Sequence, residues 1–238
     1  MEMGKVTNLL RKGLKLKSCG AVIVAAGNAS RMGGIDKVMA PLGGEPMIVK
    51  TVRAFQDCDA IREIVVVTRQ DLILPITSAC REFSKVKAVV AGGKDRPASV
   101  RAGIRALSPE MKLVAIQDGA RPLITGQVID RTVRAANTYG AAVPGVPVKD
   151  TVKEAAGGMI RKSLDRSALT AVQTPQVFDR DLLQGALTKA QDQPITDDSS
   201  AVELMGMSVK LVEGDEENIK VTTPMDLKIA QMLWEERQ

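Results

Sequence analysis

The residues best suited to chemistry lie in a loop of small residues that follows the first predicted strand. Residues 25–37 contain three glycines, three alanines and one serine, with Arg31 in the middle and Lys37 at the end. Small residues let backbone N–H groups close around phosphate oxygens, and the two cations add positive charge within reach of the same anion. The loop matches neither the G-x-G-x-x-G pattern nor the P-loop pattern. A tight connection is the simpler interpretation, but a basic pair inside it favours an anion site.

Two further loops carry polar residues after later strands. Residues 92–100 begin with two glycines, which let the backbone approach a flat ligand, and Ser99 follows as a possible hydrogen-bonding partner for a base. A turn with Ser99 capping the next helix is an equally good interpretation. Asp118, after the fourth strand, is placed to hold a substrate hydroxyl or a metal ion. It is also placed to pair with Arg121, and these two roles are compatible.

The chain of 238 residues contains no histidine, and its three cysteines are far apart. The lack of histidine excludes Ser-His and Cys-His catalysis and every histidine metal site. No Cys-x-x-Cys pair exists, so a disulfide framework or a zinc site is not expected, and a reducing cytoplasm is the simplest location.

Composition also limits the partners. The net charge is +5, but residues 1–20 alone carry +4, so the basicity belongs to an N-terminal extension. Such an extension can bind nucleic acid or membranes, but a solvated tail is the favoured interpretation. Three Phe, one Tyr and one Trp offer little for base stacking, and no apolar run is long enough to span a bilayer. We therefore expect neither a nucleic-acid partner nor a membrane partner.

A scaffold of alternating strands and helices must position these loops. Short runs rich in β-branched residues predict strands at residues 21–25, 64–68, 86–90 and 113–117. Helical segments are predicted between or after them, at residues 46–56, 99–107 and 127–139, the first with Pro46 at its first helical position. This alternation indicates the α/β class, with a mostly parallel sheet and helices on both faces. Ligands of such sheets bind beyond the carboxyl ends of the strands.

Residues 144–176 interrupt the alternation. Two predicted strands, residues 148–154 and 159–164, flank a pair of glycines and indicate a β-hairpin arm. A surface hairpin without a role and an arm that reaches a partner subunit both fit the sequence. Beyond the arm, the pattern predicts a helix at 197–205, a strand at 208–212 and a helix at 224–236.

Taken in order, these loops and three later motifs resemble the bacterial 2-C-methyl-D-erythritol 4-phosphate cytidylyltransferase family. The later motifs are Asp150-Thr151 with Asp165-Arg166-Ser167 and Gln173-Thr174-Pro175-Gln176, then residues 196–203, then residues 218–227. The likeness runs from Ala21 to about Ala230. It implies a Rossmann-like nucleotidyltransferase domain at residues 21–238, into which the hairpin arm at about residues 144–176 is inserted. The basic extension at residues 1–20 lies outside the resemblance. The resemblance also implies transfer of CMP from CTP to the phosphate of 2-C-methyl-D-erythritol 4-phosphate, with release of pyrophosphate.

The resemblance assigns roles to individual residues. Arg31 and Lys37 match the basic pair that stabilises the transition state, and Arg166 and Lys220 join them as catalytic residues. The positions that match the nucleotide site are Ala25, Ala26, Gly27, Gly93, Arg96 and Ser99. The positions that match the surroundings of methylerythritol phosphate are Asp118, Thr151, Arg166, Thr196 and Lys220. Magnesium or another divalent ion accompanies CTP, with no protein ligand assigned. Thr151 and Arg166 serve the neighbouring subunit of a homodimer joined by the arm.

One departure from the family concerns the first loop. Relatives usually place the lysine one residue further from the arginine, whereas here Asp36 precedes Lys37 in a loop one residue shorter. The nucleophile of the implied reaction is the acceptor phosphate itself. Its second pKa is about 6, so it is largely dianionic at neutral pH and needs no protein base.

Two alternatives remain. Ribitol 5-phosphate cytidylyltransferase has the same fold and chemistry, although residues 165–167 and 198–203 look more like the methylerythritol enzyme. A nucleotide-binding module without catalysis is the second alternative. It would be expected to have lost Arg31, Lys37 or Lys220, and all three are present.

Overall fold

The computed structural model describes residues 15–27, 36–191 and 193–237. The strands are β1 (Cys19–Ala25), β2 (Pro41–Leu42), β3 (Glu45–Pro46), β4 (Ile61–Thr68), β5 (Val86–Ala91), β6 (Leu113–Asp118), β7 (Ala141–Pro147), β8 (Lys153–Ala156), β9 (Met159–Ser163), β10 (Thr170–Val172), β11 (Gln176–Asp179) and β12 (Lys210–Glu213). The helices are α1 (Met47–Gln56), α2 (Ile73–Ala79), α3 (Arg96–Ala106), α4 (Gly126–Tyr139), α5 (Arg180–Lys189), α6 (Asp198–Glu203) and α7 (Pro224–Glu236). Most of the predicted extension, residues 1–14, and all of the loop segment 28–35 lie outside the described residues.

An eight-stranded sheet organises the described part of the chain. Its order is β10-β7-β11-β6-β1-β4-β5, and β12 pairs with β7. Strands β6, β1, β4 and β5 are parallel neighbours, whereas β11 runs antiparallel to both β6 and β7. The predicted α/β class with a mostly parallel sheet is therefore confirmed. The parallel half matters for function, because its strands all end at the same edge.

Side chains of the central strands alternate between two apolar layers. Ala21 and Ile23 of β1 point to the layer that contains α1, α2 and α4. Val22 points to the opposite layer, which contains α3, α5 and α6. Because both faces of the central strands are covered, their buried stretches are largely apolar, as the short β-branched runs predicted. A smaller cluster beneath α7 joins Met47, Val221 and Ala230 behind the edge where the parallel strands end.

The structure corrects several predicted element boundaries. Pro46 caps α1 and belongs to the short strand β3, so it precedes the helix instead of opening it. Helix α3 begins at Arg96, three residues earlier than predicted, because the side chain of Asp95, and not Ser99, accepts the capping hydrogen bond from the Ala98 amide. In the arm, β8 begins only at Lys153, and residues 144–147 belong to β7 of the main sheet.

The arm itself is a two-stranded hairpin outside the main sheet. Strands β8 and β9 are antiparallel, and every residue of both is exposed. The turn between them is Gly157-Gly158, with φ of 59° and 79°, a conformation that favours glycine. Across the described residues, no helix combines the length and apolar content that a bilayer crossing demands.

Candidate active site

A cavity of about 450 Å³ opens where the parallel strands β1, β4, β5 and β6 end. Its lining residues are Val24, Ala25, Ala26, Gly27, Lys37, Val38, Thr68, Arg69, Gly92, Gly93, Lys94, Asp95, Arg96, Ser99, Asp118, Ala120 and Lys220. The position agrees with the rule that ligands of such sheets bind beyond the carboxyl ends of the strands. Five lysines and arginines against two aspartates give the wall a positive balance, which suits an anionic ligand.

One wall of the cavity is a glycine turn that packs too closely on its neighbours to carry side chains. A Cβ atom on Gly93 would lie 2.4 Å from Cβ of Ala98, and one on Gly92 would lie 2.6 Å from Cβ of Ala26. The buried Ser99 hydroxyl accepts a hydrogen bond from the Gly93 amide at 3.1 Å and donates to the Asp95 carbonyl at 2.9 Å. Ser99 therefore fixes the glycine turn, and the backbone of that turn forms part of the cavity wall.

A charge cluster surrounds Asp118, which lines the cavity at the end of β6. Its carboxylate lies 2.8 Å from Lys220 Nζ, 3.7 Å from Arg121 Nε and 3.8 Å from an Arg96 guanidinium nitrogen. Burial alone would raise the pKa of Asp118, but Lys220, Arg96 and Arg121 outweigh burial and hold that pKa below its usual value. Asp118 is thus ionised, and the ion pair with Arg121 expected from sequence is present.

Arg96 also contacts a second, more deeply buried carboxylate. The Asp198 side chain is fully buried and lies 2.7 Å from Arg96 at the start of α6. Burial raises the pKa of Asp198, and the attraction of Arg96 reverses that rise only in part. A buried carboxylate of this kind is costly unless it is paired, so it holds the guanidinium against the cavity wall.

Helix α6 is in turn attached to the sheet by one amide side chain. Gln176, at the start of β11, donates from Nε2 to Asp197 at 2.6 Å. Its Oε1 accepts from the backbone amides of Asp198 and Ser199 at 3.0 and 3.1 Å. The first turn of α6, which leaves backbone amides without helical partners, is therefore satisfied from the sheet. This attachment fixes the position of Asp198.

The structure brings most of the sequence-predicted site residues to this cavity. Those that line it are Ala25, Ala26, Gly27, Lys37, Gly93, Arg96, Ser99, Asp118 and Lys220. Arg31 lies outside the described residues. Thr196 does not line the cavity; its hydroxyl lies 3.2 Å from that of Ser200, beside the cap of α6.

Two predicted residues lie in the arm region and away from the cavity of their own chain. Thr151 is exposed in the segment before β8. Arg166 is exposed and donates to the Lys149 carbonyl at 2.7 Å, beside a separate shallow groove at the base of the arm. Neither residue lines the cavity at the strand ends.

The predicted site residues did not include Arg69, Asp198 or Gln176. The buried face of α6 contains Asp198, Ala201 and Val202. A carboxylate three and four residues before two apolar residues of one helix is a signal that it is buried with them. Arg69 directly follows a strand whose end was expected at the ligand edge, which was a weaker signal. Gln176 was part of a motif quoted from the sequence, but its individual role was not predicted because it depends on a helix whose first residue lies 22 positions later in the chain.

The described residues contain no group of three His, Cys, Asp or Glu side chains that could hold a metal ion. Magnesium commonly uses one or two carboxylates and completes its shell with water and substrate phosphates. The donor set of this cavity, with Asp118 already paired, therefore fits an ion that arrives with a polyphosphate and not a site formed by protein ligands alone.

Comparison with known proteins gives a consistent result. Residues 19–236 match the family model described as 2-C-methyl-D-erythritol 4-phosphate cytidylyltransferase. The chain is 44% identical over 223 residues to a protein of that name from Caldanaerobacter subterraneus subsp. tengcongensis, covering 89% of this chain and 96% of the relative. It is 43% identical over 217 residues to one from Dehalococcoides mccartyi, covering 90% of this chain and 95% of the relative.

Solved structures agree with the sequence matches. The 4-diphosphocytidyl-2C-methyl-D-erythritol synthase of Anaerococcus prevotii superimposes with a TM-score of 0.83 at 29% identity, covering 92% of this chain and 96% of that one. The 2-C-methyl-D-erythritol 4-phosphate cytidylyltransferase of Thermus thermophilus superimposes with a TM-score of 0.76 at 32% identity, covering 91% and 98% of the two chains.

Proposed function

The chain belongs to the 2-C-methyl-D-erythritol 4-phosphate cytidylyltransferase family, and we propose that the cavity at the strand ends is where it joins its two substrates. The enzyme transfers CMP from CTP to 2-C-methyl-D-erythritol 4-phosphate and releases pyrophosphate, in the synthesis of isoprenoid precursors. The observation that carries the assignment of the site is the convergence of five cationic side chains and the Gly92-Gly93 turn on one cavity. The ribitol 5-phosphate alternative and the non-catalytic alternative are not favoured by these relatives.

Different parts of the cavity suit the two ends of CTP. The backbone at Gly93, fixed by Ser99, is the proposed surface for cytosine, with selection by backbone hydrogen bonds because the described residues that line the cavity include no aromatic ring. Ala25, Ala26 and Gly27 leave room for the triphosphate above β1. Lys37 and Arg96, together with Arg31, are proposed to meet the phosphates. Arg96 is suited to this because its guanidinium is already oriented by Asp198.

The acceptor is proposed to lie near Asp118 and Lys220. Asp118 is ionised and accepts hydrogen bonds, so it suits a hydroxyl of the methylerythritol chain, while Lys220 suits the phosphate. An oxygen of this phosphate attacks the α-phosphorus of CTP, and the bond from that phosphorus to the bridging oxygen breaks as pyrophosphate leaves. Catalysis then consists of positioning two polyanions and neutralising the charge that develops on the α-phosphate.

Magnesium, or another divalent ion, is proposed to enter with CTP. When bound, it would neutralise phosphate charge, and Asp95 and Asp118 are the carboxylates of the cavity wall that could contribute a ligand. The protein groups act independently of that contribution: Lys37 and Arg96 hold phosphate oxygens, and the glycine turn orients the nucleoside.

The arm is proposed to join two copies of the chain. An isolated two-stranded hairpin has only marginal stability in water. In the single chain, Met159 and Ile160 on β9 are 73% and 67% exposed. A symmetric partner would cover these side chains, and Thr151 and Arg166 of each chain would then reach the cavity of the other chain.

The proposed location is the reducing cytoplasm, because all three cysteines are buried and none forms a disulfide.

The test is pyrophosphate release from each of CTP, UTP, ATP and GTP, with methylerythritol phosphate and ribitol 5-phosphate as separate acceptors. We expect turnover with CTP and methylerythritol phosphate to exceed every other combination. Comparable turnover with a purine nucleotide would overturn the proposed base surface. Faster turnover with ribitol 5-phosphate would overturn the acceptor assignment.

A further inference from the structure

Asp36 connects the turn that carries Lys37 to the end of strand β4. One carboxylate oxygen accepts a hydrogen bond from the Val38 amide at 3.1 Å and so caps the 3-10 turn Lys37–Met39. The other oxygen accepts from the guanidinium of Arg69. A single side chain therefore performs two tasks: one oxygen shapes the turn and the other attaches it to the sheet.

Arg69 is a rigid attachment point. It directly follows Thr68, whose strand is paired with β1 on one side and β5 on the other. Its Nε and its remaining terminal nitrogen donate to the two oxygens of Asp71 at 3.1 and 2.9 Å. Asp71 is two residues along the same segment, so among the described residues the hydrogen bond to Asp36 is the one that joins the Arg69 side chain to a different segment. Asp36 is thus the link between Arg69 and the turn.

We propose that Asp36 is a positioning residue for Lys37, with Arg69 as its anchor. The inference rests on the proposed function, in which Lys37 meets the phosphates of CTP. A lysine has a long flexible stem, so where its ammonium can reach depends on where its backbone is held. The carboxylate of Asp36 is only 14% exposed, and its charge lies between the turn and the Arg69 guanidinium. The link is suited to a shortened loop, because it fixes the loop's end directly to the sheet edge.

Substitution with asparagine separates the two tasks of Asp36. Asn caps a turn about as well as Asp, so Asp36→Asn retains the bond to the Val38 amide and removes the charge that binds Arg69. Asp71→Asn is the matched control, since it also takes one carboxylate from Arg69 but leaves the bond to Asp36 intact. We expect Asp36→Asn to lower kcat by about ten-fold or more, with KM for CTP changed less, because misplacement of a group that acts in the transition state affects the chemical step. The kcat of Asp71→Asn should stay within about two-fold of the parent value, since this substitution moves no group into or out of the cavity.

A second measurement distinguishes positioning from general stability. In a Lys37→Ala background, Asp36→Asn should change kcat by less than about two-fold, because no ammonium remains to be positioned. Asp36→Ser, whose hydroxyl also caps, provides a second variant without the carboxylate, and thermal unfolding verifies that each variant is folded. Equal losses in the two backgrounds, or equal losses from Asp36→Asn and Asp71→Asn, would overturn the proposal.

The Lys37→Ala variant distinguishes failure of the proposed function from failure of the positioning role. If Lys37→Ala retains near-normal kcat, the proposed role of Lys37 is wrong and the positioning role of Asp36 is wrong with it. If Lys37→Ala loses kcat while Asp36→Asn keeps it, the proposed function survives and only the positioning role is overturned.

Discussion

At the scale of single residues, the site is a balance between two buried carboxylates and the cations around them. Asp118 has three cationic neighbours and a lowered pKa, whereas Asp198 has one close cation and a raised pKa. Arg96 contacts both, so its guanidinium is shared between an anion at the cavity wall and an anion behind it. A polyphosphate that enters would compete for the side of Arg96 that faces Asp118, while Asp198 keeps the other side in place.

Replacing Asp118 with asparagine removes the anion that these cations share. We expect the free energy of unfolding at neutral pH to fall by roughly 1–3 kcal/mol, less than for a fully buried pair because Lys220 is partly in solvent. The folded pKa of Asp118 is lowered, so its stabilisation is complete above the unfolded pKa of about 4 and is lost as the pH falls through the folded value.

The measurement is urea unfolding of the parent and Asp118→Asn from pH 8 to pH 3. The difference in stability between the two proteins should be constant from pH 8 to about pH 6 and should narrow below about pH 4. A difference that widens on acidification would contradict the ionised, cation-paired state of Asp118.

At the scale of elements, helix α3 carries Arg96 and Ser99 into the cavity by packing unusually close to the sheet. The close approach depends on Gly103. A Cβ atom at this position would lie 2.2 Å from Val22 Cγ1 of β1 and 2.9 Å from Val67 Cγ2 of β4. The valines belong to the buried strands and have little room to move.

Substitution of Gly103 with alanine should therefore destabilise the protein despite the better helix propensity of alanine. We expect a loss of about 1–3 kcal/mol from overpacking, and a higher KM for CTP because α3 must shift. Gly185→Ala in α5 is the control. Its Cβ meets nothing within 4 Å, so it should gain about 0.5–1 kcal/mol. Equal or greater stability of Gly103→Ala in urea would show that α3 does not need this approach.

The sequence predicted elements best where one pattern determines them. Runs of β-branched residues located β1, β4, β5 and β6 within a few residues, because strands covered on both faces are largely apolar. Ends of elements were predicted less well, since capping depends on which of two polar residues the backbone reaches; Asp95 and not Ser99 caps α3. The loops that line the cavity were predicted because parallel strands share an edge, whereas the contacts between Gln176 and the start of α6 depend on how α6 packs on β11.

At the scale of the whole molecule, the distribution of predicted site residues is uneven. Nine of them line one cavity, whereas Thr151 and Arg166 are exposed near the arm. The hairpin β8–β9 makes no pairing with the main sheet, and its apolar side chains Met159 and Ile160 face solvent in the single chain. Both observations have the same explanation if the arm crosses to a second copy.

Mixing inactive subunits tests this arrangement. An Arg166→Ala chain and an Arg31→Ala chain are each expected to be nearly inactive alone. If the arm crosses, a mixed dimer has one site with both defects and one site with neither, so activity should return toward half of the parent level per mixed dimer. Exchange of subunits is verified with an affinity tag on one chain. Verified exchange without recovered activity would mean that Arg166 does not act in the partner's site.

The two-glycine turn at the tip of the arm divides the parts of the cavity between two segments of the chain. Arg96 and Asp118 precede this turn, whereas Asp198 and Lys220 follow it. A chain cut between residues 157 and 158 would give two fragments, and each fragment would contain an incomplete pocket. The fragments can reassociate by pairing β11 with β6 and β12 with β7. Nucleotide transfer would then report the encounter of the fragments, so the exposed turn is a rational position at which to build a fragment-complementation sensor from this enzyme.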